Sequence, residues 1–317
     1  MAGETSGGPG RLPNLFIAGV SRGGTTSMFH YLGQHSDVGT SDVKELRYFT
    51  PLRYGEPLAP VDTYTGHFAR CLGMRYAVEA TPGYFYGGQA LARGIREVCP
   101  SDTRVVVSLR SPIERCWSWF GFVKSRMRIP QELTFEEYVD RCMQLHRAGT
   151  DGDIENQAFW GLGGGCYARW LSDWVHEFDD RLRLVFFEEF SSDPRRTIHD
   201  LCGWLDLATD QVQGFTFEVD NRTTQYRHER LQKVAVGINR RAEPFFHNHR
   251  RTKGLLRRGY YLVNRRHPEP GMTPAVRERL LEFYRPYDKR LAEQLSLLGL
   301  RLPDSWDTAG SARPHHI

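Results

Sequence analysis

The sequence lacks most features that would identify a metal-binding, membrane or nucleic-acid-binding protein. Its six cysteines are widely spaced, and the absence of a C-x-x-C pair argues against a zinc site or a thioredoxin-like motif. No apolar run approaches the roughly 18 residues that span a bilayer, and no apolar signal segment follows the N-terminus. The net charge of +4 is small for 317 residues and does not indicate a nucleic-acid partner. We therefore expect a cytoplasmic protein with buried reduced thiols, no metal and no integral membrane segment.

Lysine is also scarce, because the chain contains only five lysines and its basic residues are almost all arginine. A biased genome composition is a sufficient explanation for this preference. The planar fork of arginine also suits phosphate and sulfate groups, so a functional reason remains open.

Short apolar runs alternate with helix-start signals between two polar ends. The runs suit buried parallel strands and occupy residues 14–20, 75–80, 104–109 and 181–187. Cap residues predict helix starts at Ser111-Pro112 with a capping box to Glu114, at Thr134 with Glu137, at Asp193-Pro194 and at Thr273-Pro274.

This alternation predicts an α/β fold, with a P-loop-like central parallel sheet and helices on both faces. We expect a single domain over residues 12–303, with flexible ends at 1–11 and 304–317. In such sheets, ligands bind beyond the carboxyl ends of the strands, where loops lead into helices. Two loops of this sequence fit that position.

The first loop follows the strand at 14–20 and resembles a phosphate-binding loop that lacks its usual lysine. Gly19 and Gly24 have the Walker A spacing, but Thr25 stands where the lysine belongs. The loop cation is instead Arg22. Candidate anion ligands are the backbone and side chains of Arg22, Gly23, Gly24, Thr25, Thr26 and Ser27, at the start of a helix predicted over 25–33. The alternative is a glycine-rich turn that binds nothing.

The second loop follows the strand at 104–109. Arg110 stands at the carboxyl end of that strand, and Ser118 lies two turns into the next helix. An arginine and a serine hydroxyl make a plausible second phosphate site, although Arg110 could simply cap a neighbouring helix. Together the two loops indicate a ligand with two separate phosphate-type groups.

Five segments in order resemble those of sulfotransferases that use 3′-phosphoadenosine 5′-phosphosulfate (PAPS). The resemblance covers about residues 14–207 and is greatest to the carbohydrate branch, which includes heparan sulfate sulfotransferases, and to related bacterial enzymes. The segments are "GVSRGGTTSMFHYL", "KELRYF", "VEATPGYF", "VVVSLRSPIERCWSWF" and "LVFFEEFSSDPRRTIHDLCGWLDL".

The resemblance implies a role for each loop. The first loop would hold the 5′-phosphosulfate, with Arg22 stabilising the leaving oxygen, and Arg110 and Ser118 would hold the 3′-phosphate. No metal is implied, since hydrogen-bond donors and a cation can stabilise the charge that develops on the leaving phosphate.

The acceptor side is implied by "DVKELRYF" at 42–49. In the resembling enzymes the glutamate at the position of Glu45 is the candidate general base, and Lys44 would orient it or neutralise charge. We expect burial to raise the pKa of this carboxylate. From spacing alone, a solvated Lys–Glu pair is the simpler interpretation.

Three positions depart from the family pattern. Relatives often have lysine where Arg22 stands, histidine where Arg47 stands and lysine where Ala80 stands. These departures indicate either a different acceptor or weak activity. The acceptor would be a hydroxyl-bearing saccharide, glycolipid or small molecule, in a bacterium. A basic segment at 221–271 could form a lid over the cofactor or be an exposed charged stretch.

Two alternatives to a sulfotransferase stay open. One is a P-loop small-molecule kinase, which would need a loop lysine and a magnesium ligand. The other is a non-catalytic protein that binds PAPS or adenosine bisphosphate without turnover.

Overall fold

The computed structural model describes residues 10–218 and 271–306, and the statements on structure below concern those residues. They divide into two compact units, which are treated separately. The first unit comprises 10–111, 166–218 and 284–306, and the second comprises 112–165 and 271–283. The predicted domain boundaries at 12–303 stay a prediction.

Within the described residues of the first unit, five parallel strands form one sheet in the order β2-β3-β1-β4-β5. The strands are β1 (Leu15–Gly19), β2 (Val38–Thr40), β3 (Tyr76–Ala80), β4 (Arg104–Leu109) and β5 (Leu182–Phe186). Four of them lie within the apolar runs predicted as strands, and β2 was not predicted. The α/β class with a parallel central sheet is confirmed.

Five of the described helices begin where the sequence predicts. In chain order the described helices are α1 (Thr25–Leu32), α2 (Asp62–Thr65), α3 (Gly88–Val98), α4 (Pro112–Ser125), α5 (Phe135–Arg147), α6 (Leu171–Phe178), α7 (Phe187–Ser192), α8 (Pro194–Trp204) and α9 (Pro274–Leu297). The carboxylate of Asp193 accepts the Arg196 N–H at 2.9 Å, and the Thr273 hydroxyl accepts the Val276 N–H at 3.3 Å. Both caps confirm helix starts that the sequence predicts.

Both faces of β1 are buried, as a continuous apolar run predicts for a central parallel strand. Leu15 and Ile17 face a cluster that includes Met28 of α1. Phe16 points to the opposite face, where its ring centroid lies 6.0 Å from Phe49 and 6.4 Å from Tyr84. Each such side chain contributes about 1.5–3 kcal/mol by leaving water. β1 is therefore a rigid support for the loop that follows it.

In the second unit, α5 begins with the predicted capping box. The Thr134 hydroxyl accepts the Glu137 N–H at 3.3 Å, and the Glu137 carboxylate accepts the Thr134 N–H at 2.8 Å. The same unit contains the fully buried Arg115 of α4, which donates to the carbonyls of Trp160 and Gly161. The buried guanidinium of Arg115 thus fixes the start of the glycine-rich turn at residues 161–165.

The capping box predicted at Ser111 is wrong. The Ser111 N–H donates to the Glu188 carboxylate at 2.8 Å, so its acceptor is not Glu114. Glu114 instead forms an ion pair with Arg277. The box does not form because the Ser111 N–H and the Glu114 carboxylate each pair with a residue distant in sequence, and local spacing does not reveal such partners.

The remaining predictions concern the thiols, the ends and the basic segment. All six cysteines lie in the described part of the chain and are buried and free of disulfides, as expected. No described helix is both long enough and apolar enough to cross a membrane. Of the two predicted flexible ends, residues 10–11 and 304–306 are described, and Trp306 is buried against Phe186; the remaining residues of both ends lie outside the described part of the chain. So does the segment at 221–271, except for Gly271.

Candidate active site

The loop after β1 leads into an uncapped helix N-terminus. Gly24 has a φ of 79°, a left-handed conformation that favours glycine, and α1 begins at the next residue. Among the described residues no side chain caps α1, and its first turn has no acidic residue. The first N–H groups of a helix have no partner within that helix and carry partial positive charge. This geometry suits an anion.

Gly23 is required because the backbone of β4 passes close to it. A β-carbon at Gly23 would lie 2.5 Å from the carbonyl oxygen of Ser108. The Ser108 hydroxyl donates to the Gly23 carbonyl at 2.6 Å, and the Val20 N–H donates to the Ser108 carbonyl at 2.9 Å. Ser108 therefore holds the loop at both its start and its middle.

The side chains predicted to surround the anion lie in the same segment. Arg22 also has a left-handed backbone, with a φ of 73°, and is half-buried. Thr25 is buried at the first position of α1, and Thr26 and Ser27 follow it half-buried in the first turn. Left-handed residues between ordinary ones turn successive N–H groups toward one concave side, which is a common anion-binding arrangement.

Arg110 lies at the end of β4, beside the first loop. Its Nη1 donates to the Arg22 carbonyl at 3.1 Å, and its guanidinium lies 4.4 Å from the centroid of Phe187. The Tyr167 hydroxyl donates to the Arg110 carbonyl at 2.7 Å and fixes the backbone. The structure thus brings the two predicted loops together at Arg22 and Arg110. Ser118 lies half-buried in α4 of the second unit, and its pairing with Arg110 stays a prediction.

The carboxylate of Glu45 lies between two cations. Lys44 Nζ is 3.1 Å from Glu45 Oε1, and Arg47 Nη2 is 3.5 Å from Oε2. Loss of solvent around Glu45 favours its neutral form, but the charges of Lys44 and Arg47 outweigh this and hold its pKa below the usual value. The expectation of a raised pKa is therefore wrong, because Lys44 and, to a smaller extent, Arg47 stabilise the charged carboxylate.

The backbone around Glu45 is unusual. Glu45 and Arg47 both have left-handed backbone conformations, with φ of 66° and 59°, which residues other than glycine seldom adopt. The Glu45 N–H donates to the Ala80 carbonyl of β3 at 3.2 Å. A conformation of this kind persists only when its neighbours impose it.

Sequence reasoning missed two residues that organise this region, Glu79 and Ser108. Both are fully buried polar residues within strands that otherwise read as apolar. Glu79 Oε1 accepts a hydrogen bond from the Thr81 hydroxyl at 2.6 Å. The signal that could have found them is a polar residue inside a buried strand, because such a group must find a partner.

Metal ligation has no evident site here. Within residues 10–218 and 271–306 there is no group of three or more histidine, cysteine or acidic side chains that could hold a metal ion.

Comparison with known proteins identifies consistent relatives. A family model described as "Sulfotransferase domain" matches residues 91–295. Heparan sulfate glucosamine 3-O-sulfotransferase 3B1 of Homo sapiens is 29% identical over 285 residues, covering 89% of this chain but 63% of the relative. Heparan sulfate glucosamine 3-O-sulfotransferase 6 of Homo sapiens is 28% identical, covering 89% of this chain and 72% of the relative. The chain thus spans less than two thirds of the length of the first of these relatives.

A solved structure supports the fold. A sulfotransferase from Alicyclobacillus acidocaldarius superimposes with a TM-score of 0.66 at 21% identity, covering 94% of this chain and 99% of that one. At this level of identity the likeness concerns the fold.

Proposed function

The chain belongs to the sulfotransferase domain family, and we propose that it transfers a sulfuryl group from PAPS to a hydroxyl of a saccharide, glycolipid or small molecule. The observation that carries this proposal is the uncapped N-terminus of α1, which begins directly after Gly24 and has Thr25 in place of the Walker lysine. A phosphosulfate fits such a loop, because it needs donors and a cation but no lysine–magnesium pair. PAPS, when bound, supplies the sulfuryl group and a phosphate leaving group.

The chain's own residues have distinct roles on the donor side. Backbone N–H groups at the start of α1 would bind the anion, and the hydroxyls of Thr25, Thr26 and Ser27 would add donors. Arg22 would stabilise negative charge on the leaving oxygen but would not protonate it, because a guanidinium keeps its proton at any ordinary pH. Arg110, with Ser118, would hold the 3′-phosphate.

On the acceptor side, Glu45 would take the proton of the attacking hydroxyl. The charges of Lys44 and Arg47 keep Glu45 ionised at neutral pH, so the base is in the correct protonation state. The same charges make Glu45 a weaker base. We infer that its basicity increases when the acceptor displaces one of the two cations from the carboxylate. Lys44 is the better candidate to remain, since its side chain is the less exposed of the two cations.

The acceptor class rests on relatives alone. Two relatives are named for sulfation of a glucosamine unit of heparan sulfate, which favours a saccharide hydroxyl for this chain as well. A glycolipid or small-molecule acceptor and a cytoplasmic, bacterial location remain predictions from the sequence.

Calorimetry tests the donor assignment and separates it from a kinase. We expect adenosine 3′,5′-bisphosphate to bind without magnesium and more tightly than ATP, and Arg110→Ala to weaken that binding by at least about tenfold, since a hydrogen bond to a charged group contributes ~1.5–3 kcal/mol. A preference for ATP that depends on magnesium would refute the sulfotransferase assignment.

A second experiment separates an enzyme from a protein that only binds PAPS. Transfer of ³⁵S from labelled PAPS is followed with heparan sulfate, with simple alkyl glycosides, with a glycolipid and with a mixture of peptides. Glu45→Gln should lose most turnover while its affinity for adenosine 3′,5′-bisphosphate is unchanged. Lack of transfer by the unchanged protein to every acceptor class, with intact bisphosphate binding, would favour the binding-only alternative. Labelling of peptides alone would contradict a saccharide acceptor.

A further inference from the structure

Glu79 is the most buried carboxylate of the described chain that the proposed chemistry does not use. It lies on β3, opposite Phe16 of β1, with no exposed surface. Burial raises the pKa of Glu79, although the hydroxyls that donate to it act in the opposite direction. Burying a carboxylate costs free energy unless its oxygens accept hydrogen bonds, so the donors around Glu79 indicate its role.

Three hydroxyls supply those partners. The Thr81 hydroxyl donates to Oε1 at 2.6 Å, the Tyr84 hydroxyl donates to Oε2 at 3.2 Å, and the Tyr64 hydroxyl also donates to Oε2. Each hydroxyl belongs to a residue that is at most 3% exposed. Because a hydroxyl has one proton, each donation to Glu79 leaves only lone pairs to face the other way.

Those lone pairs are used by the loop that carries Glu45. The Thr81 hydroxyl accepts the Arg47 N–H at 3.3 Å, and the Tyr84 hydroxyl accepts the Phe49 N–H at 3.2 Å. The third hydroxyl residue, Tyr64, stacks on Tyr48 at 4.1 Å with an angle of 8° between the rings. All three partners of the carboxylate therefore contact the segment 47–49.

We propose that Glu79 is a positioning residue, which orients the hydroxyls of Thr81 and Tyr84 so that they hold the loop bearing Glu45. The left-handed backbone at Glu45 and Arg47 requires such an external constraint. The carboxylate acts only through these two hydroxyls and does not touch the acceptor. The catalytic part of this inference rests on the proposed function, in which Glu45 is the base.

Two conservative variants test the relay without deleting the carboxylate. Tyr84→Phe and Thr81→Val each remove one acceptor of a loop N–H and keep the shape of the side chain. Tyr76→Phe is the matched control, because the buried Tyr76 hydroxyl on β3 donates to the Leu205 carbonyl at 3.1 Å instead of to the loop relay. Glu79→Gln leaves at least one of the three hydroxyl protons without an acceptor, and, if it folds, it should weaken the hold of these hydroxyls on the loop.

The first measurement is amide hydrogen exchange of the 44–50 segment, which needs no substrate. We expect the Phe49 amide to exchange roughly fivefold faster in Tyr84→Phe, and the Arg47 amide likewise in Thr81→Val, as the loss of one hydrogen bond predicts. Tyr76→Phe should leave both amides unchanged. Equal exchange in all variants would overturn the positioning role, whether or not the protein transfers sulfate.

The second measurement is transfer from PAPS to heparan sulfate, with calorimetry of adenosine 3′,5′-bisphosphate alongside. Tyr84→Phe and Thr81→Val should lower kcat by roughly tenfold with unchanged bisphosphate affinity, because a misplaced base slows proton removal and not donor binding. Tyr76→Phe should keep kcat. Faster loop exchange together with an unaltered kcat would overturn the catalytic part of the inference. Absence of transfer by the unchanged protein to heparan sulfate, to alkyl glycosides and to a glycolipid alike would instead refute the proposed function, while the exchange data still decide the role of Glu79.

Discussion

Replacement of Gly24 by alanine tests whether the start of α1 binds an anion. Gly24 has a φ of 79°, and a residue with a β-carbon adopts that conformation at a cost of about 1–2 kcal/mol. The added carbon would also lie 3.0 Å from ring atoms of both Phe187 and Phe190, which must then move by a few tenths of an ångström. We expect a total destabilisation of about 1–3 kcal/mol and a displaced N-terminus of α1.

The matched control is Gly55→Ala. Gly55 has a similar φ of 72°, but no described atom lies within 4 Å of the position that its β-carbon would take. This variant therefore shares the backbone strain without the ring contacts and lies outside the phosphate-binding loop. Denaturation in urea gives the free energy of unfolding of both variants.

Calorimetry with adenosine 3′,5′-bisphosphate then separates binding from stability. We expect Gly24→Ala to bind roughly tenfold more weakly, because the loss of one hydrogen bond to a charged group is worth ~1.5–3 kcal/mol. Gly55→Ala should bind like the unchanged protein. Unchanged affinity in Gly24→Ala, or equal losses in the two glycine variants, would refute the assignment of this loop.

Three further predictions concern Glu45 and α5. Lys44→Ala should raise the pKa of Glu45, so the acid limb of the pH profile of kcat/KM should move to higher pH; a limb that stays in place would contradict Glu45 as the base. By the same reasoning, the depressed pKa of Glu45 stabilises the fold above the pKa of the unfolded chain, and this contribution is lost as the pH falls through the folded value. Thr134→Ala should lower the free energy of unfolding by about 1 kcal/mol, because it removes the cap of α5, whereas Thr134→Ser should not. Equal denaturation midpoints for the two Thr134 variants would show that the cap contributes nothing.

Much of the fold could be predicted because its signals are local. Apolar runs located β1, β3, β4 and β5; β4 coincides with its run, and the other three strands are one residue shorter at one or both ends. Caps at Asp193, Thr273 and Thr134 depend on neighbours within one turn, and the structure confirms them. The three-residue β2 is too short for any periodic pattern, and its place in the sheet comes from pairing with β3.

Within the candidate site, the sequence predicts local geometry only where it follows from residue type and from the order of the elements. Gly24 and the position of Arg110 after β4 are of that kind. The direction of the Glu45 pKa shift was not predictable, because it depends on where the side chains of Lys44 and Arg47 lie. The relay through Glu79 was not predictable either, since it joins residues from three separate segments of the chain.

The order of the strands explains how residues distant in sequence come together for the proposed transfer. β1 lies between β3 and β4, so the loop that follows it has a neighbour on each side. On one side, β4 supplies Ser108 and is followed by Arg110, and both contact the phosphate-binding loop. On the other, β3 supplies Glu79 and the carbonyl of Ala80, which hold the loop of Glu45. Because all three strands are parallel, these loops leave from the same edge of the sheet. The proposed donor and acceptor sides are therefore held by the two neighbours of a single buried strand, and changes on β3 and β4 should affect base placement and anion binding separately.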